Sequence, residues 1–359
     1  MQTTYSRVAR LQAYLKQESL DAAFVFDSDN RRYLSGFRGS TGYVVVTQKN
    51  ALFFTDFRYT QQAGEQCPGL EIVSIRSEAD VISYLASHTL RRLGLVEAET
   101  SVRLYKALKT GIEHLETAAI DSELLRLRMV KDAQECASIR RACEITDLAF
   151  SAMCKMIRPG MTEAEIDRFL QDYMRGFPEV ERMAERFIVA SGPRGSMPHG
   201  LASDRTICDH EFVTVDFGCN CGGYWSDVTR TVCVGEPNAK QREIYETVLA
   251  AQNAAILLAA PGKTGRELDH AARTLIADAG YGEYFGHNLG HSFGLNIHEA
   301  PQCARNQNGD IPLQPGMIVT IEPGIYIPQF GGVRIEDDIL ITENGCENLT
   351  RADKQLIIL

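Results

Sequence analysis

Four carboxylates and four histidines in the second half of the chain are spaced as a metal site requires. Asp216 follows the β-branched run Val213-Thr214-Val215, and Glu322 follows a second such run, Val319-Thr320-Ile321. Another acid comes after each, Asp227 eleven residues on and Glu336 fourteen residues on, with Gly222-Gly223 and Gly331-Gly332 between. Glycine pairs let a chain reverse, so both spacings suit hairpins that return the second acid beside the first. Four carboxylates at one seam would repel and raise one another's pKa, and a divalent cation between them relieves that repulsion. Residues 285–299 add His287, His291 and His298, and His199 stands in Met197-Pro198-His199-Gly200. In Gly290-His291-Ser292-Phe293-Gly294 the glycines let the backbone come close to an ion, which makes His291 a ligand candidate. A donor set rich in Asp and Glu, with no thiolate, favours Mn²⁺, Fe²⁺ or Co²⁺ over a structural cysteine–zinc site.

These residues need two similar scaffolds to hold them, and the sequence repeats itself accordingly. Pro159-Gly160-Met161-Thr162-Glu163-Ala164-Glu165 recurs 102 residues later as Pro261-Gly262-Lys263-Thr264-Gly265-Arg266-Glu267. Val213-Thr214-Val215-Asp216-Phe217-Gly218 recurs 106 residues later as Val319-Thr320-Ile321-Glu322-Pro323-Gly324. In each copy Pro-Gly ends a helix, and Thr with Glu three residues on forms a capping box that starts the next. The reading is an α+β catalytic domain of two similar halves, each supplying an acidic strand.

At roughly 150 residues per domain, 359 residues make about two domains. Up to about Ile120 the segments AAFVF, YVVVT, ALFFT, EIVSI and LGLVE alternate with helical stretches such as residues 78–93, which predicts a small α/β domain. A polar stretch over 121–131 precedes a helix with apolar residues at Ile139, Cys143, Ile145, Ala149, Met153 and Met156. The expected domains are therefore 1–122 and 123–359. A net charge of −10 without a run of like charges argues against nucleic acid as a partner. No apolar stretch approaches the roughly 20 residues that span a bilayer, and the first twenty residues lack a secretory core, so a cytoplasmic protein with no membrane partner is expected. Ten cysteines without a CxxC pair read as reduced thiols, with Cys219 and Cys221 on one face of a strand.

The segments VDFG-x8-DVTRT, GHSFGLNIHEAP, IEPGIY and GVRIEDD resemble those of the pita-bread metallopeptidases. GFRGSTGY and FTDFRYTQQA resemble the creatinase-type first domain of the proline-specific branch, the Xaa-Pro aminopeptidases and Xaa-Pro dipeptidases (prolidases). That resemblance implies a pita-bread catalytic domain behind a smaller creatinase-type α/β domain. It implies two divalent ions, manganese first with cobalt, iron or zinc as alternatives, held by Asp216, Asp227, His291, Glu322 and Glu336. Asp227 and Glu336 would bridge both ions, Asp216 would complete one, and His291 and Glu322 the other. Glu322 is the expected general base, and His199 and His298 the donors to the carbonyl oxygen. His287 would line a pocket for the proline ring, Arg334 would orient ligands or bind a substrate carboxylate, and Tyr326 would donate to the site. The implied activity is hydrolysis of the Xaa-Pro bond in dipeptides or at peptide N-termini, by a homodimer. Alternatives are a methionine-aminopeptidase-like exopeptidase and a non-catalytic peptide-binding module of the same fold.

Overall fold

A computed structural model describes residues 2–359, with side chains from Ser6 onward, and divides into two compact units, Met1–Arg128 and Met129–Leu359. In the first unit strands β1 (Ala22–Val25), β2 (Tyr43–Thr47), β3 (Ala51–Thr55), β4 (Glu71–Ser74), β5 (Arg92–Leu95) and β6 (Glu116–Ala119) form one sheet in the order β4-β3-β2-β1-β5-β6. The β1–β2 and β2–β3 pairings are antiparallel and the other three parallel. Its helices are α1 (Gln2–Gln17), α2 (Ser28–Ser35), α3 (Thr60–Gln66), α4 (Glu78–Ser87), α5 (Val102–Gly111) and α6 (Asp121–Met129). All five apolar segments of the sequence become β1–β5. Two local expectations shift. The helix read over 78–93 ends at Ser87, because Arg92–Leu95 is drawn into the sheet between β1 and β6. The polar stretch 121–131 holds α6, whose charged residues mask the buried Leu124 and Leu127.

The second unit begins with α7 (Ala133–Cys154), α8 (Glu163–Arg175), β7 (Val180–Met183), β8 (Ile188–Ser191), β9 (Glu211–Phe217), β10 (Cys219–Cys221), β11 (Tyr224–Trp225) and β12 (Val228–Val234). It continues with α9 (Ala239–Leu258), α10 (Gly265–Asp278), β13 (Gly290–Ser292), β14 (Glu299–Cys303), β15 (Ile318–Ile321), β16 (Gly324–Ile327), β17 (Gly331–Arg334), β18 (Asp337–Thr342) and β19 (Gly345–Asn348). The repeat read from the sequence recurs in the hydrogen bonds. Thr162 and Glu165 cap α8 as Thr264 and Glu267 cap α10. The Phe187 N–H donates to Asp167 Oδ1 and the Leu289 N–H to Asp269 Oδ1, both at 3.0 Å. Gly160 N–H meets the Ile207 carbonyl as Gly262 N–H meets that of Leu313, both at 2.9 Å. Each half has its own apolar core: Ile145, Leu170, Val213 and Val232 in one, Val248, Leu268, Val319 and Ile339 in the other.

Both acid-to-acid segments are hairpins, but only one turns where expected. β10 and β11 pair across Gly222-Gly223, whose φ angles of +60° and +92° suit glycine. In the second, Gly331 and Gly332 lie within β17 opposite Ile327 and Tyr326, and the chain reverses at 328–330 with Gln329 at φ +62°. Gly332 serves close approach instead, since a Cβ there would stand 2.2 Å from the Gly195 carbonyl oxygen.

Candidate active site

Antiparallel pairing of β9 with β12 sets Asp216 opposite Thr229, with Asp227 just ahead of β12. Pairing of β15 with β18 sets Ile321 opposite Asp337, so that Glu322 and Glu336 flank that pair. The two hairpins are hydrogen-bonded to each other beside these acids: the Glu336 N–H donates to the Thr229 carbonyl at 3.0 Å, and the Thr229 hydroxyl donates to Glu336 Oε2 at 2.6 Å. A single cavity of about 290 Å³ is then lined by Asp216, Asp227, Glu322, Glu336, His199, His287, His291, His298 and Arg334.

Asp227, His291 and Glu336 each offer a ligand atom within 4.8 Å of the others. His291 Nε2 lies 3.4 Å from Glu322 Oε1 and 3.7 Å from Asp227 Oδ2. Its Nδ1 is 3.1 Å from the Ser292 carbonyl, which can only accept, so the proton sits there and the Nε2 lone pair faces the acids. The His298 ring stands edge-on to that of His291, 4.4 Å between centroids. Arg334 directs Nη2 to Asp216 Oδ2 at 2.6 Å, Nε to the Thr229 hydroxyl at 3.0 Å, and Nη1 to the Tyr326 hydroxyl at 2.8 Å and the Pro198 carbonyl at 3.2 Å. All three of its nitrogens are thereby engaged, which favours ligand orientation over capture of a substrate carboxylate. Tyr326 is absent from the cavity wall. Its hydroxyl accepts from Arg334 and lies 2.9 Å from His287 Nε2. His287 Nδ1 is 2.7 Å from the Asn288 carbonyl, so both ring nitrogens are occupied and the ring offers the cavity only carbon. The segment that carries His287 and leads into β13 is held by the Asp269–Arg273 pair, which bonds the Leu289 N–H and the carbonyls of Phe285 and His287.

Burial dominates the electrostatics. It pushes Asp227 and Glu336 well above the ordinary carboxylate range, reinforced for Asp227 by Glu336 and for Glu336 by Glu322. Glu322 is pushed up to about 8 by burial against the pull of Arg334, with Asp216 adding to the rise. His287 and His291 are both pushed down to about 4, chiefly by burial. Neutral imidazole beside buried acids that resist ionisation is a donor set a divalent cation would satisfy, so the residues fit the metal that the sequence implies.

Three groups went unassigned in the sequence. Thr229 lies two residues after Asp227, and Thr320 two before Glu322, so strand alternation returns each to the side of its acid. Thr320 Oγ1 accepts from the His291 N–H at 3.0 Å and lies 3.3 Å from Glu322 Oε1. Asp338 Oδ2 accepts from the Asp227 N–H at 3.1 Å, and its burial was hidden in the acidic run Glu336-Asp337-Asp338.

The sequence pattern of metallopeptidase family M24 matches residues 137–343, and that of the creatinase/prolidase N-terminal domain matches residues 7–130. The chain belongs to metallopeptidase family M24. It is 38% identical to the Xaa-Pro dipeptidase of Pyrococcus horikoshii over 353 residues, covering 98% of each chain. The solved structure of an Xaa-Pro dipeptidase from Bacillus anthracis superposes with a TM-score of 0.94 at 41% identity, over 99% of this chain and 100% of that one. The X-Pro aminopeptidase from Thermotoga maritima gives 0.90 at 35% identity, over 95% and 98%. The carboxylate–histidine cavity at the seam of the two repeated halves is therefore the candidate metal site of this M24 chain.

The raised acids make stability depend on pH and metal together. A carboxyl raised in the fold stabilises fully below its ordinary value and loses that contribution as pH climbs through the folded one, about 8 for Glu322. Bound cation offsets this loss and is displaced by protons at low pH. Saturating Mn²⁺ should therefore raise the melting temperature of the chelator-stripped protein far more at pH 8 than at pH 5.5. An equal gain at both would contradict the buried-acid account.

Proposed function

We propose that this chain is a dinuclear-metal exopeptidase cleaving the Xaa-Pro bond, with dipeptides its preferred substrates. The observation that carries the reading is the donor cluster of Asp227, His291 and Glu336 in the wall of one cavity with Asp216, Glu322 and three further histidines. Asp216, Asp227, His291, Glu322 and Glu336 would hold two divalent ions, for which Mn²⁺ suits an oxygen-rich set with one imidazole. When bound, such ions supply Lewis acidity, polarising a carbonyl and making water acidic. Glu322, raised by burial, would take the proton of the attacking water and return it to the leaving nitrogen. That return is essential because the nitrogen of an Xaa-Pro bond has no hydrogen of its own. His298 is held neutral mainly by burial and keeps an N–H to donate as charge develops on the carbonyl oxygen, with His199 on the same wall. His287, its nitrogens occupied, offers an apolar edge to the pyrrolidine ring. Tyr326 fixes His287 and Arg334 from behind the cavity.

Dipeptide preference draws on relatives named as Xaa-Pro dipeptidases that match over nearly the whole chain. A cytoplasmic homodimer belongs to the same reading. Its support is the acidic composition, the lack of any membrane-crossing helix among the described residues, and the creatinase/prolidase pattern of residues 7–130.

The test is hydrolysis of Ala-Pro, Ala-Pro-Ala and Met-Ala-Ser by chelator-stripped protein with and without Mn²⁺ or Co²⁺. Metal-dependent release of Ala, fastest from Ala-Pro, is expected. Faster cleavage of Ala-Pro-Ala would reassign the chain as an aminopeptidase, and of Met-Ala-Ser as methionine-aminopeptidase-like. No turnover with either metal would point to a binding module.

A further inference from the structure

Behind the histidines lies a charge that the reaction does not use. Lys131, just ahead of α7, has a side chain only 1% exposed and faces Glu299, 2% exposed, at 3.8 Å. Its ammonium also donates to the Ser292 hydroxyl at 3.0 Å. Removing two charges from water costs more than a surface pair returns, and apolar residues of similar size often stabilise a core equally well. A pair buried this deeply therefore fixes a geometry.

The geometry is that of the β13–β14 hairpin. Ser292 and Glu299 are cross-strand partners, with a register shift between His291 and Ser292. Ser292 and Glu299, both partners of Lys131, each directly follow a histidine of the candidate site, Ser292 after His291 and Glu299 after His298. Ser292 offers its carbonyl to His291 Nδ1 and its hydroxyl to Lys131, so one residue fixes both the imidazole tautomer and the strand. Glu299 Oε1 accepts from the Asn296 N–H at 3.0 Å, and Gly294 packs so tightly here that a Cβ would meet Glu299 Oε2 at 3.0 Å and Lys131 Cε at 3.3 Å. On the other side the Trp225 N–H and indole N–H hold the carbonyls of Gly294 and Leu295. The loop bearing His298 is thus closed around the ammonium, and Lys131 is itself anchored by its N–H to the Gly316 carbonyl at 2.8 Å.

We propose that Lys131 is a positioning residue: from behind the hairpin, through Ser292 and Glu299, it sets the approach of His291 to the metal and of His298 to the substrate. The inference rests on the metal site proposed above. Its reach is through residues that support a ligand, whose loss typically lowers metal affinity about 10–100-fold.

The experiment measures Mn²⁺ affinity by competition with a chromophoric chelator, with kcat and KM for Ala-Pro, in the full-length Lys131→Met, Lys131→Arg, Ser292→Ala and His291→Ala variants. Lys131→Met should weaken Mn²⁺ binding at least tenfold and lower kcat more than it raises KM, with Lys131→Arg recovering part of both. Because the effect passes through Ser292, the double variant Lys131→Met/Ser292→Ala should bind Mn²⁺ no more weakly than Lys131→Met alone. Should Lys131→Met fail to fold, Ser292→Ala decides: a tenfold loss of Mn²⁺ affinity supports the proposal and wild-type affinity overturns it. Wild-type affinity and turnover in a folded Lys131→Met, beside a His291→Ala variant that loses Mn²⁺, would likewise overturn it. Wild-type affinity in His291→Ala would instead refute the metal-site reading beneath it.

Discussion

Replacing Glu336 or Asp227 with alanine is expected to remove Mn²⁺ binding and Xaa-Pro hydrolysis together. Both acids lie in the cluster with His291, and Glu336 is bonded across the junction of the two halves, so losing either removes a central donor. The fall in kcat/KM should exceed the roughly 100-fold seen when a residue that merely supports a ligand is lost. The metal-free protein should respond in the opposite sense. Glu336 is buried among acids that repel it, and Glu336→Gln keeps an oxygen for the Thr229 hydroxyl while removing the ionisable group. Its chelator-stripped melting temperature at pH 8 should therefore equal or exceed that of the native chain, while the gain on adding Mn²⁺ disappears. His298→Ala should leave Mn²⁺ affinity intact and lower kcat by about 10²–10³, the usual effect of removing a donor to a developing oxyanion. Elemental analysis decides between these roles. Loss of metal from His298→Ala, or its retention by Glu336→Ala, would overturn the division of labour.

Asp216 and Glu322 were legible because each ends a β-branched run, Asp227 and Glu336 because each follows such an acid at hairpin distance, and His291 because it stands among glycines. The repeat was legible for a similar reason, since helix caps and strand ends are local devices that two copies of a scaffold must both retain. What the sequence concealed depends on contacts between segments far apart. Gly332 looked like a turn residue because close backbone approach and chain reversal both demand glycine, and only the Gly195 carbonyl facing it tells them apart. Arg334 could be placed on the face of Glu336 by strand alternation, yet its engagement with Asp216, Tyr326 and Pro198 spans up to 136 residues of sequence. Lys131 was invisible as a site residue, since Ser292 and Glu299 lie more than 160 positions away and a lysine before a helix ordinarily faces solvent.

The acidic run Glu336-Asp337-Asp338 carries a second large effect, on stability. Alternation along β18 turns Asp337 away from the cavity, onto Arg230 from β12. Both side chains are almost wholly buried, and Arg230 Nη2 meets Asp337 Oδ1 at 2.7 Å while Lys354 Nζ and Asn348 Nδ2 each meet Oδ2 at 2.8 Å. Arg230 further donates to the carbonyls of Glu336, Ala352 and Asp353, so it ties the C-terminal segment to the strand that presents Glu336. Asp337→Ala would leave that guanidinium buried without its counter-charge, a change that typically costs about 3–5 kcal/mol. For a unit of this size the melting temperature should fall by about 10 °C. Burial alone would raise the Asp337 pKa, but Arg230 and then Lys354 outweigh it and hold the carboxyl below its ordinary value. A depressed acid stabilises above its unfolded pKa and ceases to as pH falls through the folded one, so the deficit of Asp337→Ala should shrink in strong acid. Replacing both partners, as Arg230→Met/Asp337→Leu, should recover much of the loss at neutral pH because the buried guanidinium goes with its counter-charge and the only charge to lose a partner is that of the part-exposed Lys354. A double variant no more stable than Asp337→Ala would mean that Arg230 acts through the carbonyls it bonds, and that the strand bearing Glu336 depends on them directly.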